Sequence, residues 1–303
     1  MRIHVLGSAA GGGFPQWNCN CANCDGVRHG RIRARARTQS SIAVTGDGTA
    51  WVLINASPDI LAQLRAFPDA QPARRLRDTA IAGIVLVDSQ IDHTTGLLML
   101  REGSPLRVYC TRSVREDLVA GNPLFEVLRH YCGVEWQRIE AGGEAFRVDG
   151  ADGLTFRAVA LASKAPPYSP RRNAPSAGDN IGLAIADAAS GRSVFYAPGL
   201  GAVEAHVARE FDRADCLLVD GTFWSEDEMA RLGVGEQRAR DMGHLPQSGT
   251  GGMMDALAPC RHARKVLIHI NNTNPILDED SPQRAMLAKH GIEVAHDGME
   301  ILL

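Results

Sequence analysis

Short apolar runs of the kind that form strands alternate along the chain with segments whose apolar residues recur at helical spacing. The short runs predict strands at 3–6, 41–44, 51–55, 83–87, 107–110, 154–160, 181–186, 193–196, 216–219 and 266–270. The helical spacing predicts helices at 59–66, 114–119, 202–211, 250–257 and 282–289. Several predicted strands are apolar on both faces, which is typical of a sheet covered on each side. The pattern therefore predicts an α/β fold in which helices lie outside the sheets.

One long segment departs from both patterns. Residues 162–180 show no apolar periodicity and carry Lys164, Tyr168, Arg171 and Arg172. Loops of this length are usually binding loops or disordered segments. The sequence contains neither an internal repeat nor an obvious linker, so we expect residues 1–303 to form a single domain.

Composition narrows the classes of function. The chain has 303 residues, 45% of them hydrophobic, which is enough to bury a full core. Its net charge of −3 gives no reason to expect nucleic acid or an anionic membrane as the main partner. No apolar run reaches the length of about 18 residues needed to span a bilayer, and the first residues predict a strand rather than a secretory signal. We therefore expect a soluble protein of the cytoplasm.

Arg31, Arg33, Arg35 and Arg37 alternate along the chain, so they would share one face of an extended segment. A solvated face is the favoured interpretation, and a funnel for an anionic substrate is the second. Contact with nucleic acid is disfavoured because no aromatic residues stand between the arginines.

Three of the seven cysteines stand close together as C-x-C-x-x-C, at Cys19, Cys21 and Cys24. Three thiolates at this spacing can bind one tetrahedral zinc ion, with a fourth ligand from elsewhere in the chain. The alternative is a set of free thiols on a turn. The crowding argues against a disulfide framework and for a reducing compartment. The preceding glycine-rich stretch, GSAAGGG, matches a dinucleotide-binding loop poorly, and we reject that site.

A second candidate metal site begins with VDSQIDHTTG, which follows a predicted strand. In the metallo-β-lactamase superfamily a strand ends in H-x-H-x-D-H, which supplies ligands to two metals. On this template Asp88 and Gln90 replace the first two histidines, while Asp92 and His93 keep the last two positions. Alternatively, Asp92 caps the helical run that follows it.

Two later strand ends complete the candidate site. Asp220 follows one aliphatic run and His269 follows another, and polar groups at such strand ends meet along one sheet edge. Together with Asp92 and His93 they form a set of two imidazoles and two carboxylates. That set suits Fe(II), Mn(II) or Zn(II), and open positions favour non-haem iron. Alternatively, His269 is a histidine of the core.

The chain as a whole resembles the coenzyme PQQ synthesis protein B family, which belongs to the metallo-β-lactamase superfamily. The resemblance rests on the strings HVLGSAAGGGFPQWNCNCANC, VLVDSQIDHTTGLLMLREG, SKAPPYS, DNIGL, VDGTFW, MGHLPQSG and IHINNTNP. It implies an αββα sandwich, a structural zinc ion at the cysteines and a role in making pyrroloquinoline quinone (PQQ). A related phosphodiesterase family closes its cysteine zinc site with a histidine where this chain has Asn272. The resemblance therefore leaves three candidates for the fourth ligand, which are Asn272, His29 and water.

The resemblance also implies a reaction, which is iron-dependent hydroxylation of a tyrosine-derived ring. The substrate would come from a cross-linked glutamate–tyrosine pair of a precursor peptide and would carry several carboxylates. Fe(II) would bind at Asp92, His93, Asp220 and His269 and activate O₂, and Zn, Mn or Mg could replace it in the isolated protein. Without the first two histidines, a two-metal hydrolase is disfavoured.

Further residues are candidates for substrate binding. Asp88 and Gln90 would face the substrate or orient the metal ligands. Cationic side chains of the 162–180 loop, at Lys164 or Arg171, could pair with substrate carboxylates. The complete set of candidate substrate contacts is Asp88, Gln90, Lys164, Tyr168, Ser169 and His244.

Two other classes of function stay open. The protein could bind and carry finished PQQ without catalysis, in which case the metal site would be structural. It could also be a degenerate metal-dependent hydrolase. Other proteins of the PQQ pathway are possible partners.

Overall fold

The computed structural model describes residues 1–72 and 75–303. The strands in these ranges are β1 (Arg2–Gly7), β2 (Ser41–Thr45), β3 (Trp51–Ile54), β4 (Ile81–Val85), β5 (Leu106–Cys110), β6 (Val134–Arg138), β7 (Leu154–Ala160), β8 (Ile181–Asp187), β9 (Ser193–Ala197), β10 (Cys216–Asp220), β11 (Arg264–Ile268), β12 (Ile292–Val294) and β13 (Glu300–Leu302). The helices are α1 (Ala22–Arg28), α2 (Ile60–Ala66), α3 (Ile91–Thr94), α4 (Arg112–Glu116), α5 (Leu124–Leu128), α6 (Ala205–Arg213), α7 (Glu228–Arg231), α8 (Met253–Leu257) and α9 (Pro282–Lys289). Short 3₁₀ turns lie at Pro68–Ala70, Thr95–Leu100, Arg240–Met242 and Pro275–Leu277, and a π turn lies at Asp117–Gly121.

The strands form two sheets. The first has the order β13-β1-β2-β3-β4-β5-β6, and the second has the order β12-β11-β10-β9-β8-β7. The strands from β3 to β6 run parallel, as do those from β9 to β12. Parallel strands end at the same sheet edge, so the loops after β4, β10 and β11 can bring side chains together there.

Alternate side chains of each strand face different layers, as the period of two requires. On β3, Val52 and Ile54 join the cluster between the two sheets, while Trp51 and Leu53 pack on the outer side. On β10, Leu218 joins the same central cluster, while its neighbours pack beside residues of α6, α8 and α9. Both sheets are therefore buried on two faces, and the predicted αββα sandwich is confirmed.

All ten predicted strands and all five predicted helices are present, with shifts at their ends. The sequence analysis missed the strands β6, β12 and β13 and the short helices α1, α3, α5 and α7. The strands β12 and β13 are short, with three residues each. In β6, at the sheet edge, apolar residues alternate with charged or polar ones, so it lacks the continuous apolar run of the other strands. Residues 162–180 contain neither a helix nor a strand, as predicted. No helix in the described ranges is both long enough and apolar enough to cross a membrane.

The central cluster should carry much of the stability. Phe156 is fully buried in it and stacks on Phe146 at a centroid distance of 5.6 Å. We expect Phe156→Ala to lower the free energy of unfolding by about 3–5 kcal/mol, because it leaves a cavity between the sheets. Urea denaturation measures the change, with Met286→Ala on the exposed side of α9 as the control. Equal losses in the two variants would contradict this description of the core.

Candidate functional site

The candidate site lies where the ends of the two sheets meet. From the first sheet, the chain leaves β4 and passes through Asp88 to the short helix α3, which carries Asp92 and His93. From the second sheet, Asp220 is the last residue of β10, and it pairs in register with Ile268 of β11. His269 follows directly and has a left-handed backbone, with φ at 61°. The fold therefore brings three separate segments of the sequence to one region.

Asp92, His93 and His269 form a compact group, which we call the triad. The Oδ2 atom of Asp92 lies 3.3 Å from Nε2 of His269 and 4.0 Å from Nε2 of His93. The two imidazole rings meet edge to face, with centroids 5.2 Å apart. Each residue offers one possible metal-ligand atom, and these three atoms lie within 4.8 Å of one another. This spacing allows a single cation to contact all three.

Asp88 determines which nitrogen of His93 faces the triad. Both carboxylate oxygens of Asp88 lie near Nδ1 of His93, at 2.8 and 2.9 Å. A carboxylate only accepts hydrogen bonds, so Nδ1 carries a hydrogen. Nε2 of His93 is buried and has no hydrogen-bond partner within the described ranges. When the ring is neutral, the hydrogen on Nδ1 leaves Nε2 with the lone pair that a metal ligand requires.

The charges at the triad reinforce one another. Burial alone would lower the pKa of His93, but the charges of Asp88 and Asp92 outweigh it and raise that pKa to about 9. Burial would raise the pKa of Asp92, but the neighbouring His93 and His269 lower it well below its usual range. The Asp92 carboxylate is therefore ionised at neutral pH. Two imidazoles and one ionised carboxylate suit Fe(II), Mn(II) or Zn(II), so the residues present fit a bound metal.

Asp220, the fourth predicted ligand, is grouped differently. The structure places it with His244 and His269 and not with Asp92 and His93. Its Oδ1 accepts from the backbone N of Thr222 at 2.9 Å and from the hydroxyl of that residue at 2.6 Å. Its Oδ2 accepts from the backbone N of Leu200 at 2.8 Å and from Nδ1 of His244 at 2.7 Å. The carboxylate already has four donors, so it orders the surroundings of the triad.

The interpretation of Asp92 as a helix cap does not fit the structure. The N-cap position of α3 belongs to Gln90, and Asp92 lies inside the first turn. His269 is buried, but both ring nitrogens face polar groups, with Nδ1 2.9 Å from Thr222 Oγ1. Asp92 is therefore not the cap, whereas His269 has the partners of a satisfied core histidine and is a candidate ligand because its Nε2 faces Asp92.

Asp88 and Gln90, which stand at the first two positions of the superfamily motif, are both engaged with the protein. Asp88 binds His93, as described above. The side-chain amide of Gln90 donates to the carbonyl of Lys164 at 3.1 Å, which ties the 162–180 loop to the triad segment. Neither residue belongs to a group of candidate metal ligands in the described part of the chain.

The predicted substrate contacts fall into two sets. Lys164 is partly exposed, and its ammonium group has no partner among the described residues. His244 lies beside the triad, with its ring stacked on that of His269 at 5.3 Å. Tyr168 instead donates its hydroxyl to the carbonyl of Ser89, and Ser169 is buried and accepts from the backbone N of Arg171. The ammonium group of Lys164 is thus free to meet a ligand, whereas His244 is held through Nδ1 by Asp220 and the other two have their own partners within the protein.

Arg171 is not available to a substrate. Its guanidinium group binds Asp179 at 2.6 Å, Asp117 at 2.7 Å and Glu116 at 3.2 Å. Asp117 in turn accepts from the hydroxyl of Ser89 at 2.7 Å. Arg171 therefore fixes the loop next to Asp88, and the expectation that it pairs with substrate carboxylates is wrong.

The sequence analysis missed two residues of the site. Gly11 belongs to the glycine-rich stretch, and a Cβ atom at this position would lie 3.3 Å from Oδ2 of Asp92. The glycines of this stretch thus let the backbone approach the triad, a use that the search for a phosphate loop did not consider. Thr222 lies between His244 and His269, and no spacing in the sequence indicates it.

The three cysteines form a second group, which we call the thiol centre. Nδ2 of Asn272 lies 3.1 Å from the sulfur of Cys19, 3.4 Å from that of Cys24 and 3.7 Å from that of Cys21. His29 lies apart, with Nδ1 2.9 Å from the carbonyl of Asp25. Asn272 is thus nearer to the cysteines than His29 is, with its amide nitrogen placed to donate to the sulfurs. Burial raises the pKa of Cys21 to about 12, so three adjacent thiolates require a cation, which zinc would supply.

The row of arginines does not form one face. Arg33 and Arg35 are exposed and pair with Asp280 and Glu279 at 2.7 and 3.3 Å. Arg37 is buried and donates to the hydroxyl of Ser8 at 3.0 Å. The exposed members are therefore solvated ion pairs, as favoured above, while Arg37 belongs to the packing of the fold.

Comparison with known proteins agrees with this geometry. Residues 50–270 match the family described as the beta-lactamase superfamily domain, and the two sheets with outer helices make the chain a metallo-β-lactamase-fold protein. Proteins called coenzyme PQQ synthesis protein B from Azoarcus sp. (strain BH72) and Nitrosococcus oceani are 64% and 62% identical over the full length of both chains. The crystal structure of Zn²⁺-bound PqqB from Methylobacterium extorquens is 39% identical, covers all of both chains and superposes with a TM-score of 0.92. The chain therefore belongs to the coenzyme PQQ synthesis protein B family.

Metal binding at the triad should compete with a proton on His93. Because the pKa of His93 is raised to about 9, the imidazole is protonated below that pH and must lose its proton to bind a metal. We expect the affinity for Mn(II) to rise about tenfold per pH unit up to that pKa and then to level off. Calorimetric titrations from about pH 6 to pH 10 on zinc-replete protein measure this dependence.

Asp88→Asn provides the matched variant. The amide can still accept from Nδ1 of His93 but lacks the negative charge, so the pKa of His93 should fall. The pH at which the affinity levels off should therefore move down. Two results would contradict the assignment of His93 as a metal ligand. One is a Mn(II) affinity that does not depend on pH in the parent protein, and the other is an affinity that levels off at the same pH in Asp88→Asn.

Proposed function

We propose that this protein acts in PQQ synthesis as a mononuclear, non-haem, iron-dependent hydroxylase. Its substrate would be a tyrosine-derived intermediate of the cross-linked glutamate–tyrosine precursor. The names of the curated relatives support the pathway. The triad supports the class of reaction, because two histidines and one carboxylate with open positions are typical of Fe(II) oxygenases.

The observation that carries the proposal is the state of the three donor atoms. Nε2 of His93 is buried without a partner among the described residues, and Nε2 of His269 and Oδ2 of Asp92 face the same space. When bound there, Fe(II) supplies the redox chemistry and the open coordination positions that a reaction of O₂ with a phenol ring requires. Asp88 and Gln90 are engaged elsewhere, so a second metal of the hydrolase type lacks its ligands.

The residues around the triad have distinct proposed tasks. Asp92, His93 and His269 would bind the metal. Asp220 would not bind it but would hold His244 in position beside it. Asp88 would hold the ring of His93 in place through its two hydrogen bonds to Nδ1. Such outer partners typically change metal affinity or activity by about 10- to 100-fold.

Substrate binding is assigned to the side of the triad where the 162–180 loop lies. Gln90 fixes the backbone of Lys164, and the free ammonium group of Lys164 suits a substrate with several carboxylates. His244 faces the same region beside His269. Tyr168 and Ser169 would support the loop through their own hydrogen bonds, and Asp88 would act through His93.

The setting of the reaction is part of the proposal. Residues 1–303 would act as one domain in the cytoplasm, with O₂ as co-substrate and other PQQ pathway proteins as possible partners. Zinc at the thiol centre would be structural, with Asn272 as the fourth ligand. A reducing compartment suits this use of Cys19, Cys21 and Cys24, which form no disulfides.

Counting metals in protein purified without oxygen is the direct test. The parent should contain one zinc ion and one exchangeable iron ion. His93→Ala should lose the iron, keep the zinc and form no hydroxylated product, whereas Cys21→Ala should lose the zinc. Cys132→Ala, whose thiol lies outside the thiol centre, is the control and should keep both.

Two results would contradict the proposal. One is full hydroxylation activity in a folded His93→Ala variant. The other is a parent protein that holds only zinc at the thiol centre and never binds added Fe(II). Tight binding of PQQ without oxygen uptake would then favour carriage of the finished cofactor.

Lys164→Glu tests the binding side of the site. The reversal places a negative charge where substrate carboxylates are expected, so the apparent KM should rise about tenfold or more, as loss of a charge-assisted contact predicts. The kcat at saturation should change little. Lys289→Glu, at the exposed end of α9, is the matched control. An unchanged KM in Lys164→Glu would remove Lys164 from the site.

A further inference from the structure

A buried threonine links the triad to the neighbouring pair of Asp220 and His244. Thr222 follows β10 by two residues and is 2% exposed. Its Oγ1 lies 2.6 Å from Asp220 Oδ1, 2.9 Å from His269 Nδ1, 2.9 Å from the His269 carbonyl and 3.1 Å from His244 Nδ1. One hydroxyl therefore meets two ring nitrogens and two oxygens.

The hydrogens in this cluster can be assigned by elimination. The Asp220 carboxylate acts as an acceptor at both oxygens, because the backbone N–H groups of Leu200 and Thr222 donate to Oδ2 and Oδ1. Nδ1 of His244 lies 2.7 Å from Oδ2 of that carboxylate, so it must carry a hydrogen. The hydroxyl of Thr222 has one hydrogen to donate, and its shortest contact is with the other carboxylate oxygen at 2.6 Å. A charged acceptor forms the stronger hydrogen bond, so the hydroxyl hydrogen lies on this contact.

This assignment leaves Thr222 as an acceptor toward His269. The oxygen of Thr222 can accept the hydrogen of Nδ1 of His269 at 2.9 Å, so that hydrogen lies on Nδ1. Nε2 of His269 then has a lone pair, which faces Oδ2 of Asp92 at 3.3 Å. Two acceptors at this distance repel each other unless a cation lies between them.

We infer that Thr222 is a positioning residue that fixes the tautomer of His269, so that Nε2 is available to a metal. The inference rests on the proposed use of the triad as a metal site. Without the hydroxyl, the ring hydrogen would be better placed on Nε2, where it can bond to Asp92. The nitrogen that should bind the metal would then be blocked.

A purely structural use of Thr222 can be separated from this one. The backbone N of Thr222 donates to Oδ1 of Asp220 at 2.9 Å, and this contact shapes the turn without the hydroxyl. Thr222→Val keeps that backbone donor and the branched shape of the side chain. Thr222→Ser keeps the hydroxyl and loses a methyl group. If Thr222 matters only for packing, the valine variant should behave like the parent. If its hydroxyl fixes the tautomer, the serine variant should.

Metal binding gives the first measurement. We expect Thr222→Val to bind Mn(II) about 10- to 100-fold more weakly than the parent, and Thr222→Ser to bind it nearly as well. Thr45→Val is the matched control, because Thr45 is equally buried but lies on β2, where its hydroxyl contacts Asp47. It should leave the affinity unchanged.

The tautomer itself gives the second measurement. In metal-free protein labelled with ¹⁵N-histidine, at a pH where the ring is neutral, two-bond correlations distinguish a hydrogen on Nδ1 from one on Nε2. His269 should carry it on Nδ1 in the parent and in Thr222→Ser, and on Nε2 in Thr222→Val.

Either of two outcomes would overturn the inference: parent-like Mn(II) binding by Thr222→Val, or an Nε2 hydrogen on His269 of the parent. If Thr222→Val does not fold, the tautomer in the parent still decides. Failure of the proposed hydroxylation would give a different result. The parent would then have the expected tautomer and bind Mn(II), but it would consume no oxygen.

Discussion

Three buried or largely buried carboxylates face three histidines where the two sheets end, and the rest of the site depends on how these charges pair. The pairs are Asp88 with His93, Asp220 with His244 and Asp92 with His269. An ionised carboxylate in this environment costs several kcal/mol to bury unless donors surround it. The first two pairs are complete, because a ring nitrogen donates directly to the carboxylate. In the third pair the hydrogen assignment places two acceptors opposite each other, and this is the pair that a cation would complete.

The two replacements in the strand-end motif have a physical meaning in this arrangement. A histidine at position 88 would present a ring nitrogen to a second metal, whereas Asp88 gives its charge to His93 and raises the pKa of that ring. Gln90 fixes the backbone of a loop instead of binding a metal. The same two positions that would hold a second metal in a hydrolase thus orient His93 and attach the loop beside it.

Much of the fold and part of the site could be predicted from the sequence, and the reasons are specific. Strands such as β3 and β10 are predictable because both of their faces are apolar. The placement of Asp220 and His269 at the site is predictable because each stands at the end of such a strand. The engagement of Arg171 by three carboxylates could not be predicted, since Glu116, Asp117 and Asp179 approach it only in the folded chain. The same holds for Asp220, whose oxygens are already used by donors from Leu200, Thr222 and His244. Local patterns identify residue types at strand ends, but the number of partners each one has depends on tertiary contacts.

The turn after β11 serves both groups of candidate metal ligands. His269 of the triad and Asn272 of the thiol centre are three residues apart, and the side chain of Asn23 donates to the carbonyls of Asn272 and Asn274 at 3.1 and 2.9 Å. The left-handed backbone at His269 is thus held from the cysteine side of the turn. Under the proposed metal assignment, the position of the triad would depend on a turn that is held by hydrogen bonds from the cysteine side. If zinc fills the thiol centre as proposed, a shortage of zinc would then disturb metal binding at the triad as well, whatever the supply of the second metal.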